Sequence, residues 1–456
     1  MSTLYEQLQP FAESLDEDDY SVTFGAFEQV TRVRMRTTAL YRPLITALIV
    51  LPAPCLGTPL CDLGLSRVSP DLRKNIVVLT SLVAECPVCS AQHCRMGKFG
   101  GPTKNPLRLT GGDGMKIGER LTLNAVVNAT KLPACRGERA RENIVKNYGE
   151  KGLQAIALIC GFEAFTNTYS ELLCVAIDED VAVQGKTELA QTGWTISPKR
   201  VMNLKIGLSK NNHPRYVNLM RFASSISRHF GDFPSKRVLI HDWLKSNFGF
   251  LPRYFKELHL FPAKRAICFS LNMALFSTKD VHISFKDKLI LSVVSYLVIP
   301  NNYLASHFAY VAEKNGVETS EILEAFGSAK TMNVADPPTD FRSLALFLTV
   351  KIARRDPDHY ALTPRLLEAS ENNHLKTLEL TYLLAILAML QRYSAMYDDG
   401  SGLESELRDF ASSKYLHQLG LSTVDHVANT NVSNSTMVTN AASTIKATIW
   451  GGGKQF

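Results

Sequence analysis

The chain is poor in cysteine, with nine thiols in 456 residues, an odd number scattered from Cys55 to Cys268. That sparseness argues against a disulfide-stapled scaffold and points to a reducing compartment, where thiols serve packing or chemistry. In that setting the sequons at Asn128, Asn431 and Asn434 carry no weight. Long apolar runs are also missing. The longest, "LITALIVLPAPCL" (44–56), is broken by prolines before it reaches the length of a bilayer span. The opening "MSTLYEQLQPFAESLDEDDY" has no basic region and no apolar core, which excludes a secretory signal, and its acidity is unlike a mitochondrial transit peptide. A phosphate-cradling loop is absent, since "LTGGDGMKIGE" (109–119) lacks the Gly-Lys-Ser/Thr ending. The formal charge is +7, but the basic stretches "TRVRMRT" (31–37) and "SKNNHPRYVNLMRFASSISRH" (209–229) lack regular aromatic interleaving and read as solvated surface. The expectation is a cytoplasmic protein with no nucleic-acid partner, no membrane, and no nucleotide or metal cofactor.

The sequence does hold a repeat. "SPDLRKNIVVLTSLVAECPVCSAQH" (69–93) lies over "VHISFKDKLILSVVSYLVIPNNYLASH" (281–307), with Lys74 on Lys288, Ser81 on Ser295 and His93 on His307. Upstream, 42–52 pairs loosely with 251–262. Downstream, 118–173 matches 341–399, with Tyr169-Ser170 over Tyr393-Ser394. Agreement across three segments in one order predicts a tandem duplication. Periodicity is helical throughout, and the nearly continuous apolar runs at 75–84 and 289–299 predict buried helices. The spans read as a first copy over 25–180, a polar connector over 181–234, a second copy over 235–415, and an Asn/Ser/Thr-rich flexible tail over 421–456.

Chemistry concentrates in "ECPVCSAQHC" (85–94). Pro87 suits the first turn of a helix, which places Cys86 at the helix start and Cys89 within its first turn. Unpaired backbone N–H groups and the positive end of the helix dipole favour a thiolate there. His93 follows Cys89 by four residues on the same face, where an imidazole can take the thiol proton. Glu85 is a further carboxylate candidate, adjacent to Cys86. Zinc is a rival reading of Cys86, Cys89, His93 and Cys94, but His93 and Cys94 diverge by about 100° on a helix. A third reading makes these thiols small hydrophobes, as it does for Cys160, Cys174 and Cys268 in their apolar runs. Cys55, Cys61 and Cys135 sit in turn-like contexts without partner spacing.

Cys-x2-Cys-x3-His after an apolar helix, set in this helical repeat, resembles the alkylhydroperoxidase D / carboxymuconolactone decarboxylase family. The resemblance implies an all-α fold of two tandem alkylhydroperoxidase D-like repeats, with an active dithiol in the first. It further implies Cys89 as the thiol that attacks a peroxide, Cys86 as the resolving thiol, and His93 as base. Peroxide or a disulfide would be the substrate, a dithiol protein or small thiol the reductant, and a homo-oligomer would complete the burial of apolar helix faces. Two positions depart from the family: Lys74 stands where a relay glutamate is usual, and Val88 where some members have a histidine. The second copy has Pro300 and Tyr303 at the cysteine positions, which leaves His307 without a nucleophile and predicts a non-catalytic copy. One active-looking copy before a degenerate one is similar to sestrins, which implies a stress or metabolite sensor as the alternative function. A carboxymuconolactone decarboxylase-type enzyme is the third.

Overall fold

A computed structural model describes residues 2–14, 28, 31–51, 68–96, 115–131, 138–204, 230–279, 281–299, 301–397 and 402–421. Cys55, Cys61, Cys135, Pro300, the basic stretch 209–229 and residues 422–456 lie outside the described residues. The described chain is mostly helical, in agreement with the all-α expectation. The exception is a two-residue parallel pair, β1 (Ile177–Asp178) with β2 (Val201–Met202).

Helices α1 (Leu4–Ala12) and α2 (Arg42–Val50) precede an N-terminal set: α3 (Pro70–Val83), α4 (Pro87–Met96), α5 (Ile117–Thr130) and α6 (Glu138–Leu173). Then come α7 (Glu179–Glu188), α8 (Arg237–Phe248) and α9 (Phe261–Leu271). A C-terminal set follows, with α10 (Phe285–Val298), α11 (Asn302–Lys314), α12 (Thr319–Thr331), α13 (Phe341–Arg354) and α14 (His374–Tyr397). Sequence 251–262, paired above with the α2 region, forms only one turn, Arg253–Lys256, and the first residues of α9.

Local chemistry fixes these starts and stops. Ser69 caps α3 by accepting from the Leu72 N–H at 3.2 Å, with Pro70 in the first turn, and Ser284 caps α10 by accepting from the Asp287 N–H at 3.0 Å. Glu85 takes a left-handed conformation (φ 58°), and the Cys86 N–H returns to the Ser81 carbonyl at 3.0 Å, a Schellman closure of α3. α13 closes the same way through Arg355 (φ 53°) and the Asp356 N–H on the Lys351 carbonyl at 2.8 Å. Gly149 (φ 72°, ψ 175°) breaks α6 into a short helix and a long one.

In each set the buried helix is the hub. α3 packs on α4, α5 and α6, while α10 packs on α11, α13 and α14. The two long helices, α6 and α14, form the principal seam of the molecule. They run antiparallel, because Gly161 faces Met389 and Tyr393, whereas Phe165, one turn further along α6, meets Tyr382 further back on α14. A side chain at Gly161 would place its Cβ 3.2 Å from Tyr393 Cβ and 3.3 Å from the Met389 carbonyl, so the glycine sets how closely the helices approach. Tyr41, Phe165 and Tyr382 pack edge-on in the core beside this seam.

Candidate dithiol site

The turn that ends α3 begins α4. Cys86 occupies the cap position, its Sγ 3.3 Å from the Cys89 backbone nitrogen, and the Ser90 N–H donates to the Cys86 carbonyl at 3.0 Å. The two residues, with Cα atoms 5.4 Å apart, are joined by a disulfide. Both are buried. Cys89 Sγ lies 3.8 Å from the Thr166 carbonyl, so the thiol pair faces the long helix α6.

His93, one turn beyond Cys89, meets Glu163 of α6, with Nε2 to Oε2 at 2.6 Å. The contact is close but not aligned as a hydrogen bond. Glu163 is fully buried, and its Oε2 lies 3.3 Å from Ser81 Oγ and 3.4 Å from Thr166 Oγ1. The Ser81 hydroxyl also reaches Asn167 Oδ1 at 3.1 Å. An imidazole fixed between the dithiol helix and a buried carboxyl group is placed to take up and return a thiol proton.

The sequence candidates are thus divided. Cys86, Cys89 and His93 come together around the α3–α4 turn. Glu85 points elsewhere: it is exposed, it lines a cavity between the two helical sets, and its charge acts on Arg355. The carboxylate that reaches His93 is Glu163, which sequence reasoning missed because it lies 70 positions away, inside an apolar run. An acid within an apolar helical run, four residues before Asn167, was the available signal. Lys74, at the position where the family resemblance implies a glutamate, lies 4.0 Å from Glu188 of α7.

Other thiols differ in electrostatics. Burial pushes Cys94 and Cys160 up to about 12 and Cys174 up to about 11, and it raises Cys268 further. Such thiols stay protonated and inert at neutral pH. Cys94 interacts with Glu188 while His93 faces Glu163, so the two neighbours diverge as the helix dictates. Among the described residues no three His, Cys, Asp or Glu side chains gather as a metal site.

The first part of the connector is folded onto this site. α7 packs along α4, and Gly185 comes so close that a Cβ there would sit 2.8 Å from Ala91 Cβ. Trp194 Nε1 donates to the Pro87 carbonyl at 3.1 Å, and Arg95 pairs with Asp180 at 2.6 Å.

The place that the sequence pairing sets opposite the dithiol, on α11, holds no thiol among the described residues. His307 Nε2 lies 2.7 Å from Glu404 Oε2, and Glu404 Oε1 accepts from the Tyr303 hydroxyl at 2.6 Å and the Arg253 N–H at 2.7 Å. Phe250 packs edge-on to the His307 ring at 4.6 Å. His307 is therefore a core histidine held through Nε2 by Glu404, with its Nδ1 unpartnered among the described residues.

Comparison with protein-family models, with curated proteins and with solved structures gives no match for this chain. Among the described residues, no helix is long and apolar enough to cross a membrane.

Proposed function

We propose that the chain is a thiol-dependent peroxidase or disulfide oxidoreductase built from two alkylhydroperoxidase D-like units, the second without catalytic thiols. The observation that carries this reading is the Cys86–Cys89 disulfide at the start of α4, with His93 one turn on and held against the buried Glu163.

In the reduced state, His93 accepts the Cys89 proton and the helix start stabilises the thiolate. Cys89 Sγ attacks one oxygen of a hydroperoxide. The O–O bond breaks, the sulfur becomes a sulfenic acid, and His93 returns the proton to the leaving alkoxide or hydroxide. Cys86 Sγ then attacks the sulfenic sulfur, expelling water and forming the disulfide. An external dithiol reduces that disulfide by exchange, itself becoming oxidised, and completes the cycle. Run against a protein dithiol instead of a peroxide, the same pair passes its disulfide on. The carboxylate partner that the sequence appeared to lack at Lys74 is supplied in this scheme by Glu163.

The test is intact mass of the reduced protein before and after stoichiometric hydrogen peroxide, with the Cys86–Cys89 peptide mapped. Loss of two hydrogens confined to that peptide, abolished in Cys89→Ser, is the expected result. Thiols that stay free, or that oxidise no faster than the buried Cys160 and Cys268, overturn the reading.

A further inference from the structure

A cavity of about 100 Å³ lies between the two helical sets. Its wall takes Glu85, Thr130 and Asn167 from the N-terminal set and Arg355, His359 and Arg392 from the C-terminal set. Neither Cys86 nor Cys89 borders it, so it is separate from the dithiol.

Three of the residues that line it carry a buried polar atom with no hydrogen-bond partner among the described residues: Asn167 Nδ2, Thr130 Oγ1 and His359 Nε2. Their residues are 3%, 1% and 5% exposed, so bulk water does not satisfy them. Leaving such an atom unpaired carries its full desolvation cost. Such groups on residues around one cavity suit a polar guest. Their chemistry is mixed. His359 Nδ1 donates to the Asp356 carbonyl at 2.7 Å, so Nε2 of the neutral ring accepts, and burial lowers the pKa of this ring and keeps it neutral. Asn167 Nδ2 donates, and the Thr130 hydroxyl does either.

The charge on the wall is biased. Arg355 spends two N–H groups on the Val83 carbonyl at 2.8 Å and the Thr130 carbonyl at 2.5 Å. Burial pulls it down to about 10, which leaves it cationic at neutral pH. Arg392 donates from Nη1 to the Ala129 and Lys131 carbonyls at 2.9 and 3.0 Å. A guanidinium has five donors, so these bonds do not exhaust either one. Of the acids on the wall, Glu171 is matched by Arg200 at 2.9 Å and meets the Tyr360 hydroxyl, which leaves two arginines facing Glu85.

We propose that this cavity binds a small hydroxycarboxylate, its carboxylate on Arg355 and Arg392 and its hydroxyl exchanging hydrogen bonds with Asn167, Thr130 and His359. Size sets the class: a cavity of about 150 Å³ takes benzene, so this one takes roughly four or five heavy atoms. Glycolate is the probe of that size. A chain of contacts links the site to the dithiol. Asn167 bonds Ser81, Ser81 contacts Glu163, and Glu163 holds His93, so a guest anchored on Asn167 alters the groups that orient the imidazole. This coupling rests on the thiol–disulfide reading, whereas the binding does not.

Calorimetric titration of the full chain with glycolate, and with glycolamide as its uncharged counterpart, tests the site. Saturable one-to-one binding of glycolate is expected, with glycolamide about tenfold weaker or more. Ala388→Leu, which fills the cavity from α14, should abolish binding. Asn167→Asp, which sets a carboxylate against the guest, should weaken it by a similar factor. Absence of saturable heat with millimolar glycolate overturns the proposal, as does equal affinity for glycolamide or unchanged binding in a folded Ala388→Leu. Should that variant fail to fold, Asn167→Asp carries the same decision. Coupling is read separately, from the rate at which dithiothreitol reduces the Cys86–Cys89 disulfide with and without saturating glycolate. An unchanged rate removes the coupling and leaves the site standing; an inert dithiol removes the thiol–disulfide reading, and calorimetry still decides the site.

Discussion

His307 pairs with Glu404 as His93 pairs with Glu163, but the two carboxylates come from different places in the chain. Glu163 projects from the long helix α6, whereas Glu404 follows α14 and caps the turn that begins at Arg253. A histidine at this point on the second helix of each set is buried beside an acid. Only the first has thiols within a turn of it.

Glu163 touches His93 and not the thiols, so on the proposed thiol–disulfide reading it is a positioning residue. Glu163→Gln should slow thiol–disulfide turnover by about 10- to 100-fold. Glu163→Asp should recover part of that loss, and Glu163→Gln should cost nothing further in a His93→Gln background. Stopped-flow oxidation of the reduced protein measures all three. Equal losses in both backgrounds would reduce Glu163 to a packing role.

Glu404 supplies a pH dependence. Burial alone raises its carboxyl, but the His307 charge and hydrogen bond, with Tyr303 and the Arg253 N–H, outweigh that and hold it down at about 2. A carboxyl whose folded pKa lies below its unfolded value near 4.5 adds stability above the unfolded pKa, and that stability fades as pH falls toward 2. Glu404→Gln should therefore cost about 3 kcal/mol at neutral pH and almost nothing near pH 2. Urea unfolding across that range checks the slope.

Lys288 and Glu379 meet at 2.5 Å, each with its side chain 1% exposed, and Glu379 Oε2 also accepts from the His282 and Ile283 N–H groups at 2.7 and 3.0 Å. Lys288→Met leaves a carboxylate buried without its cation. A loss of about 3–5 kcal/mol is expected, measured by denaturant unfolding. Replacing both partners with apolar residues should not restore full stability, since two backbone donors then lose their acceptor.

Gly161 admits no branched side chain between the long helices. Gly161→Val should destabilise by about 1–3 kcal/mol through overpacking against the Met389 backbone and Tyr393, read as a fall in Tm. A neutral result would mean that the seam has slack.

Local chemistry was legible in the sequence, and long-range partners were not. The α3–α4 break is written in Glu85-Cys86-Pro87, because a cap and a first-turn proline act over a few residues. The nearly continuous apolar run at 75–84 marked α3 as buried, and it is. The carboxylate beside His93 could not be read locally: Glu85 was the nearest acid in sequence, but its left-handed backbone turns it toward Arg355, and the helix packing brings Glu163 in. The segment after 181 looked like a polar connector because α7 has a weak apolar face. Its docking depends on Gly185 and Trp194 fitting α4, a matter of shape that composition does not carry.

Arg355 and Arg392 belong to the C-terminal set, yet they donate to Val83, Ala129, Thr130 and Lys131, the carbonyls that end α3 and α5. Two helices of the N-terminal set therefore borrow their terminal donors from the far end of the polypeptide. A chain severed between Leu204 and Phe230 would yield fragments with open helix ends on one side and guanidinium groups stripped of their acceptors on the other. Moved to another protein, the N-terminal set would need new donors for the carbonyls that Arg355 and Arg392 now serve.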